Sequence, residues 1–197
     1  MTGTSILPNH AAQQSLACSD PAAASSVVTR SVASLEETMQ AFAVRAACFV
    51  GELDLPYSTA FDGRDFGASH LLARIGREPV GALRVRWFRS FAMPEQLAVM
   101  KNFRNKGIGR LLLENACQLA QERGCNILYC RAPRAAVAYF TRHGWASHED
   151  PGRTLREPTV ALTRSADPRR PSALPESDAR ALWDMAQPPR AALALPA

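Results

Sequence analysis

Long apolar runs are missing from this chain. The longest, Ala135 to Phe140, has six residues, and Ala46 to Val50 has five, far fewer than the eighteen or so that a bilayer span takes, so no membrane partner is expected. The N-terminus lacks a basic segment followed by an apolar one, and no signal peptide is read there. Paired cysteines are missing too. The five (Cys18, Cys48, Cys117, Cys125, Cys130) are odd in number, scattered, and without a Cys-x-x-Cys pair. That argues against a disulfide framework or a zinc site and predicts a reducing, cytoplasmic location. The four histidines have no ligand spacing, so no metal is expected. No repeat of fixed period is visible, and no helix-turn-helix or zinc pattern supports a nucleic-acid partner.

What is present suits a globular domain: 47% apolar residues, 21% charged ones and a net charge of +5. The charge is unevenly placed. Asp20 is the only charged group before residue 26, and the four basic and four acidic groups after Arg164 cancel, so the middle of the chain carries the whole positive excess. Such a surface suits nucleic acid, an anionic membrane or an anionic small molecule, or is simply a solvated face. Residues 1–25, rich in Ala, Ser, Gln and Pro, are expected to form a flexible arm. Residues 26–164 form the expected domain. Residues 165–197 are a Pro/Ala/Arg-rich tail in which Glu176 to Gln187 could form a short helix burying Leu182, Trp183 and Met185.

Within the domain, Val27-Val28-Thr29 is a short β-branched run. Ser34 reads as a helix cap with Glu37 at the capping-box position, and the helix is expected to reach about Val50. Gly51 to Ser69 is loop-like. His70 to Ile75 and Val80 to Trp87 read as two strands joined by Gly76-Arg77-Glu78-Pro79. Their alternation puts Leu83, Val85 and Trp87 on one face and Arg84 and Arg86 on the other. A strand around Gln96 to Met100 precedes a helix from Gly107 to about Arg123, which buries Ile108, Leu111, Leu112, Ala116 and Leu119 and ends at Gly124. Asn126 to Cys130 is a strand, Arg134 to Arg142 a short helix, and Thr159 to Leu162 a last strand. This order predicts an α/β fold with a mixed central sheet flanked by helices.

The most informative segment is Arg104-Asn105-Lys106-Gly107-Ile108-Gly109, between a strand and a helix. Two glycines one residue apart permit positive φ and close approach to the backbone. A helix start offers unpaired N–H groups and a partial positive charge, which suit a phosphate. Arg104, Lys106 and Arg110 place full charges around the same point. No Gly-Lys-Ser/Thr follows and no third glycine is present, so neither a Walker A loop nor a dinucleotide fingerprint is at hand. By itself the loop is a plausible phosphate cradle, or a glycine-eased helix start among surface cations.

Glu95 to Leu112 resembles the central motif of the GNAT superfamily of N-acyltransferases, in which a Leu-x-Val strand (here Leu97-Ala98-Val99) leads into Arg/Gln-x-x-Gly-x-Gly/Ala. Ala138-Tyr139-Phe140-Thr141-Arg142-His143-Gly144-Trp145 is similar to the family's aromatic segment ending in Gly-Phe. The resemblance covers roughly residues 26–164. It implies a central sheet splayed near an acyl-CoA site, with acetyl-CoA or another acyl-CoA as co-substrate. Backbone groups of Leu97 and Val99 would hold the pantetheine arm like an added strand, and backbone N–H groups of Arg104, Asn105, Lys106, Gly107, Ile108, Gly109 and Arg110 would hold the pyrophosphate.

The reaction so implied moves an acetyl or short acyl group to a primary amine, of a small molecule or a peptide. Glu95, two residues before Leu97 on the same strand face, is the candidate base, acting through water. Its other reading is a strand-end carboxylate in an ion pair with an arginine. The leaving-group acid is where this chain departs from the family: Phe140 stands where many members have a tyrosine, with Tyr139 about 100° away around the helix. Tyr139 reads best as a packed or partly exposed aromatic. Pro133 stands near the place of the family's asparagine. An acidic loop bearing Asp62 and Asp65, followed by His70, is the candidate acceptor site and suits a cationic amine. His70 by itself reads better as a structural histidine at a strand start than as a base. Arg45-x-x-x-Phe49, Glu52-x-Asp54 and Asp62 also resemble acyl-homoserine lactone synthases and N-acyl amino acid synthases. Two alternatives therefore stand beside the leading reading: an acyltransferase using longer chains or acyl-carrier protein, and a degenerate GNAT module sensing acyl-CoA without turnover. A homodimer is the one assembly considered.

Overall fold

A computed structural model describes residues 26–148, 159–167 and 169. The expected N-terminal arm and the tail helix at Glu176 to Gln187 lie outside the described residues. In chain order the elements are β1 (Val27–Ser31), α1 (Leu35–Arg45), a π-helical turn (Ala46–Glu52), α2 (Tyr57–Ala60), β2 (Ser69–Ile75), β3 (Glu78–Trp87), β4 (Ala92–Val99), a 3₁₀ turn (Lys101–Phe103) and α3 (Ile108–Glu122). There follow β5 (Ile127–Pro133), a second 3₁₀ turn (Arg134–Ala136), α4 (Val137–Arg142), β6 (Ala146–His148) and β7 (Thr159–Ser165).

The start of α1 follows its sequence signal with one shift. Ser34 Oγ accepts from the Glu37 N–H at 3.2 Å, whereas the Glu37 carboxylate accepts from Ala33 N–H at 2.8 Å, one residue before the capping-box donor. The α-helix stops at Arg45, short of the expected Val50, because the chain widens into the π turn. There Leu53 N–H donates to Cys48 C=O at 3.2 Å, five residues back. Such turns are local accommodations, and this one places Glu52 where Arg104 takes it.

Seven strands among the described residues form one sheet, ordered β1-β2-β3-β4-β5-β7-β6. Every neighbouring pair is antiparallel except β4 and β5, which run parallel and are in register at Ala92 and Leu128 alone. From that point the two strands diverge, so the expected splay is present and the sheet opens towards the C-terminal ends of β4 and β5. Two strand readings are corrected. β4 begins at Ala92, earlier than expected, since Pro94 reads as a strand breaker. The three-residue β6 was too short to register as a pattern.

Strand alternation sends two sets of side chains to two helices. Leu71, Leu83 and Val85 pack with Ile108, Leu112, Leu113, Ala116 and Ala120 of α3, and Leu72, Ala82 and Ala98 pack with Ala41, Val44 and Cys48 on the α1 side. Leu111 is corrected: it is 36% exposed, and Leu113 takes the buried place expected of it. The buried stripe Ile108, Leu112, Ala116, Ala120 repeats every four residues, which leaves Leu111 on the solvent side. β3 approaches α3 so closely at Gly81 that a Cβ there would come within 2.9 Å of Ile108 Cγ2. Cys125 N–H to Ala120 C=O (2.8 Å), with Gly124 at φ 73°, closes α3 where the sequence placed its end. Among the described residues no helix is long and apolar enough to cross a membrane, and no cluster of His, Cys, Asp and Glu could hold a metal ion.

Candidate active site

The opening between β4 and β5 has a backbone end and a charged end. At the backbone end, the chain leaves β4 at Val99 and reaches α3 through a loop with two left-handed residues, Asn105 (φ 61°) and Gly107 (φ 77°). Nothing lies within 4 Å of a Cβ built on Gly107. Glycine is therefore needed there for its φ and not for space. Leu111 N–H bonds Gly107 C=O at 3.0 Å, the first turn of α3. The N–H groups of Ile108, Gly109 and Arg110 then have no intrahelical acceptor, and the helix dipole adds partial positive charge at the same place.

The side chains around this loop carry less free charge than the sequence suggests. Arg104 is bidentate on Glu52 (2.6 and 2.7 Å) and donates from Nε to Val99 C=O at 2.9 Å. This clasp ties the π turn to the end of β4 and holds the Glu52 carboxyl below its ordinary range, mainly through the Arg104 hydrogen bond. Arg110 pairs with Glu114 at 2.7 Å, and Lys106 Nζ lies 5.2 Å from the Phe103 ring centroid. A phosphate here would be met first by backbone N–H groups. Of the three cations read around this loop, Arg104 and Arg110 are thus paired, with carboxylates 52 and four residues away in sequence.

At mid-strand, β4 carries a bulge. Pairing with β3 runs Gly81↔Val99 and Ala82↔Ala98, then Arg84↔Glu95, so Gln96 and Leu97 together oppose Leu83. Gln96 has φ 54°, and its Nε2 donates to Thr59 C=O at 2.9 Å. A bulge leaves one residue out of the ladder, so backbone groups at Gln96 and Leu97 are released from regular pairing with β3. Sequence reading missed it, since a glutamine at positive φ leaves no local signal.

The charged end is built on β3. Arg84 is on the face opposite Leu83 and Val85, as its alternation predicts, yet it is only 1% exposed. Nη1 donates to Asp62 (2.6 Å) and Asp65 (3.2 Å), and Nη2 to Asp62 (2.9 Å) and Glu95 (2.8 Å). Arg45, also 1% exposed, donates to Asp65 at 2.6 Å and to Ala60 C=O, and its guanidinium lies 5.3 Å from the Phe42 ring and 5.1 Å from the Phe61 ring. Arg86 holds both Glu95 oxygens at 2.8 Å. Three guanidiniums thus face three carboxylates. Burial by itself raises the Asp62 carboxyl, but the Arg84 hydrogen bonds and charge, with the Arg64 N–H, outweigh it and bring it down to about 2. Burial disfavours charge on Arg84 as well, and its bonds to Asp62 and Glu95 reverse that, holding it protonated.

The three residues expected to contact the acceptor, Asp62, Asp65 and His70, are brought together, but their contacts point inward. His70 is buried, its Nε2 lies 3.1 Å from Asp65 C=O, and burial, the largest influence, lowers its pKa. Asp65 lies between Arg45 and Arg84. The loop's acidity is therefore spent on buried arginines, which corrects the picture of a free acidic loop. Asp62, with a 24% exposed side chain, is the member that reaches the surface. Of the two readings the sequence left open for Glu95, the ion pair is present, with Arg84 and Arg86.

Between the two ends lie Leu97 and the buried Cys130. Burial, reinforced by Glu95, pushes the Cys130 thiol up, so it stays protonated and is no nucleophile. Phe140 packs edge-on to Trp145 at 5.5 Å inside the core. Tyr139 is half-buried beside the loop, packed as expected.

The sequence model of the Acetyltransferase (GNAT) family matches residues 35–145. An uncharacterized N-acetyltransferase of Bacillus subtilis, YjcF, is 28% identical over 110 residues, covering 56% of this chain and 79% of that relative. Among solved structures, an acyl-CoA N-acyltransferase from Pseudomonas aeruginosa is similar at TM-score 0.62 and 23% identity, over 71% of this chain and 99% of that one. A GNAT family acetyltransferase from Elizabethkingia anophelis with acetyl-CoA bound is similar at TM-score 0.56 and 15% identity, over 71% and 97%. These two likenesses concern the fold alone. With the family match spanning α1 to the end of α4, the chain belongs to the GNAT family and is an N-acetyltransferase whose co-substrate is acetyl-CoA or another acyl-CoA.

Proposed function

We propose that this enzyme moves an acetyl or short acyl group from coenzyme A to the primary amine of a small molecule or peptide. The observation that carries this reading is the opening between β4 and β5, with the α3 N-terminus at one end and the Arg84–Glu95 cluster at the other. In it, N–H groups from Arg104 to Arg110 hold the pyrophosphate, and the free edge of β4 at Leu97 and Val99 accepts the pantetheine arm as an added strand. The acceptor enters past Asp62, while Asp65 and His70 fix the loop from beneath.

The neutral amine attacks the thioester carbon, and the carbon–oxygen double bond opens to an oxyanion. Backbone groups released at the Gln96 bulge are the candidate donors to it. Collapse breaks the carbon–sulfur bond. The proton lost by the nitrogen passes through water to Glu95, and the thiolate takes its proton from solvent, since Phe140 has none to give. A thiol with a pKa of about 8.5 is a good enough leaving group to part without a dedicated acid. Both Glu95 oxygens already accept from arginines, which leaves fewer lone pairs for a water, so its contribution belongs at the low end of general-base catalysis.

Thiol release with a panel of amines, amino acids and peptides, using acetyl-, medium- and long-chain acyl-CoA, tests the reading. Turnover with an amine and short-chain donors is expected. Binding of acyl-CoA without turnover across the panel would favour a sensor. Full turnover by Glu95→Gln at neutral pH would remove the base.

A further inference from the structure

We propose that Tyr139 is a donor-binding residue whose hydroxyl serves the phosphate end of the coenzyme A seat, beside the first turn of α3, and not the thiol end. A Cβ built on Gly109 would come within 2.9 Å of the Tyr139 hydroxyl oxygen, 3.7 Å of its Cζ and 3.8 Å of Leu97 Cδ2. The phenol therefore stands where the helix start meets β4. It also explains a residue that backbone geometry does not. Gly109 lies in the helix without a positive φ, where glycine costs about 1 kcal/mol relative to alanine. The hydroxyl fills the room that a side chain at 109 would take.

The ring is held edge-on against Phe140 (5.5 Å between centroids) and His143 (4.7 Å), which aims the hydroxyl. The hydroxyl makes no hydrogen bond to another described residue, although it lies at the end of α3 where N–H groups await an anion. Burial, then Glu114, raises the phenol's pKa against the opposing Arg110 charge. Tyr139 is thus a protonated donor at neutral pH, matched to a phosphate oxygen. It is no substitute for a leaving-group acid. The pantetheine arm is about as long as four extended residues, roughly 14 Å, and its sulfur lies at the far end.

The inference rests on the proposed donor seat, and one set of titrations separates the two. Coenzyme A binding is measured by calorimetry for wild type, Tyr139→Phe, Gly109→Ala and the double variant, with steady-state kinetics for acetyl-CoA and S-acetylpantetheine. Tyr139→Phe is expected to weaken coenzyme A about tenfold, the scale of one hydrogen bond to a charged group. KM for acetyl-CoA should rise while kcat at saturation and its pH profile stay put. S-acetylpantetheine, which lacks the phosphates, should not discriminate between the two proteins. Gly109→Ala should weaken binding more in the presence of the hydroxyl than in its absence. Equal coenzyme A affinity in wild type and Tyr139→Phe overturns the assignment while leaving the seat intact. A fall in kcat with a lost alkaline limb and unchanged KM overturns it in favour of a proton donor. No binding by wild type overturns the seat itself.

Discussion

Replacing Asp62 by asparagine tests whether the buried arginine cluster stabilises the loop that bears it through charge. The hydrogen bonds and charge of Arg84 outweigh burial and bring the folded Asp62 carboxyl from an ordinary 3.8 down to about 2, a difference worth about 2 kcal/mol at neutral pH. The side chain is 24% exposed, so solvent screening trims this only modestly. Because the folded pKa is depressed, the stabilisation is complete above about pH 4 and is lost as pH falls through about 2. Asparagine keeps the shape and one acceptor oxygen but removes the charge facing Arg84, which is left with Asp65 and Glu95. Urea unfolding of both proteins from pH 2 to pH 7 should show a gap of about 2 kcal/mol near neutrality that narrows below pH 4 and closes near pH 2. A gap independent of pH would mean that asparagine acts through packing alone. A gap widening in acid would refute the ion-pair account.

Three further predictions follow from local geometry. Gly107→Ala forces a residue with a Cβ to φ 77° in otherwise open space, costing about 1–2 kcal/mol of stability in chemical denaturation and weakening coenzyme A binding. Gly81→Ala drives a methyl against Ile108 and Leu112 of α3 and should cost about 1–3 kcal/mol, read as a lowered Tm. Glu52→Gln releases Arg104 from its bidentate pair. That should strengthen coenzyme A binding a few-fold, more so at low salt, since the freed charge stands in the phosphate loop.

The parts of this fold that could be read in the sequence are those where local chemistry and packing agree. Ser34 capped α1, the Gly76 turn joined β2 to β3, and the alternation around Leu83 and Val85 placed Arg84 and Arg86 on the opposite face. The start of α3 was legible because Gly107 takes the left-handed φ that glycine favours. What escaped depends on partners distant in sequence. Nothing near Arg104 says that Glu52 will take its charge, nor anything near Asp62 that a buried arginine on β3 will meet it. The Gln96 bulge and the π turn are settled by tertiary fit, a glutamine bonding Thr59 and an extra residue squeezed ahead of Leu53. Tyr139 was placed correctly as a packed aromatic, while its position against Gly109 needed the helices to be docked.

The most direct test of the central claim is the thermal stabilisation of the chain by acetyl-CoA, compared with Gly107→Ala. A ligand at a hundred times its Kd should stabilise the wild type by about 2.7 kcal/mol, a Tm rise of several degrees, and the variant by clearly less. No rise in wild type with acetyl-, medium- or long-chain acyl-CoA would contradict the account.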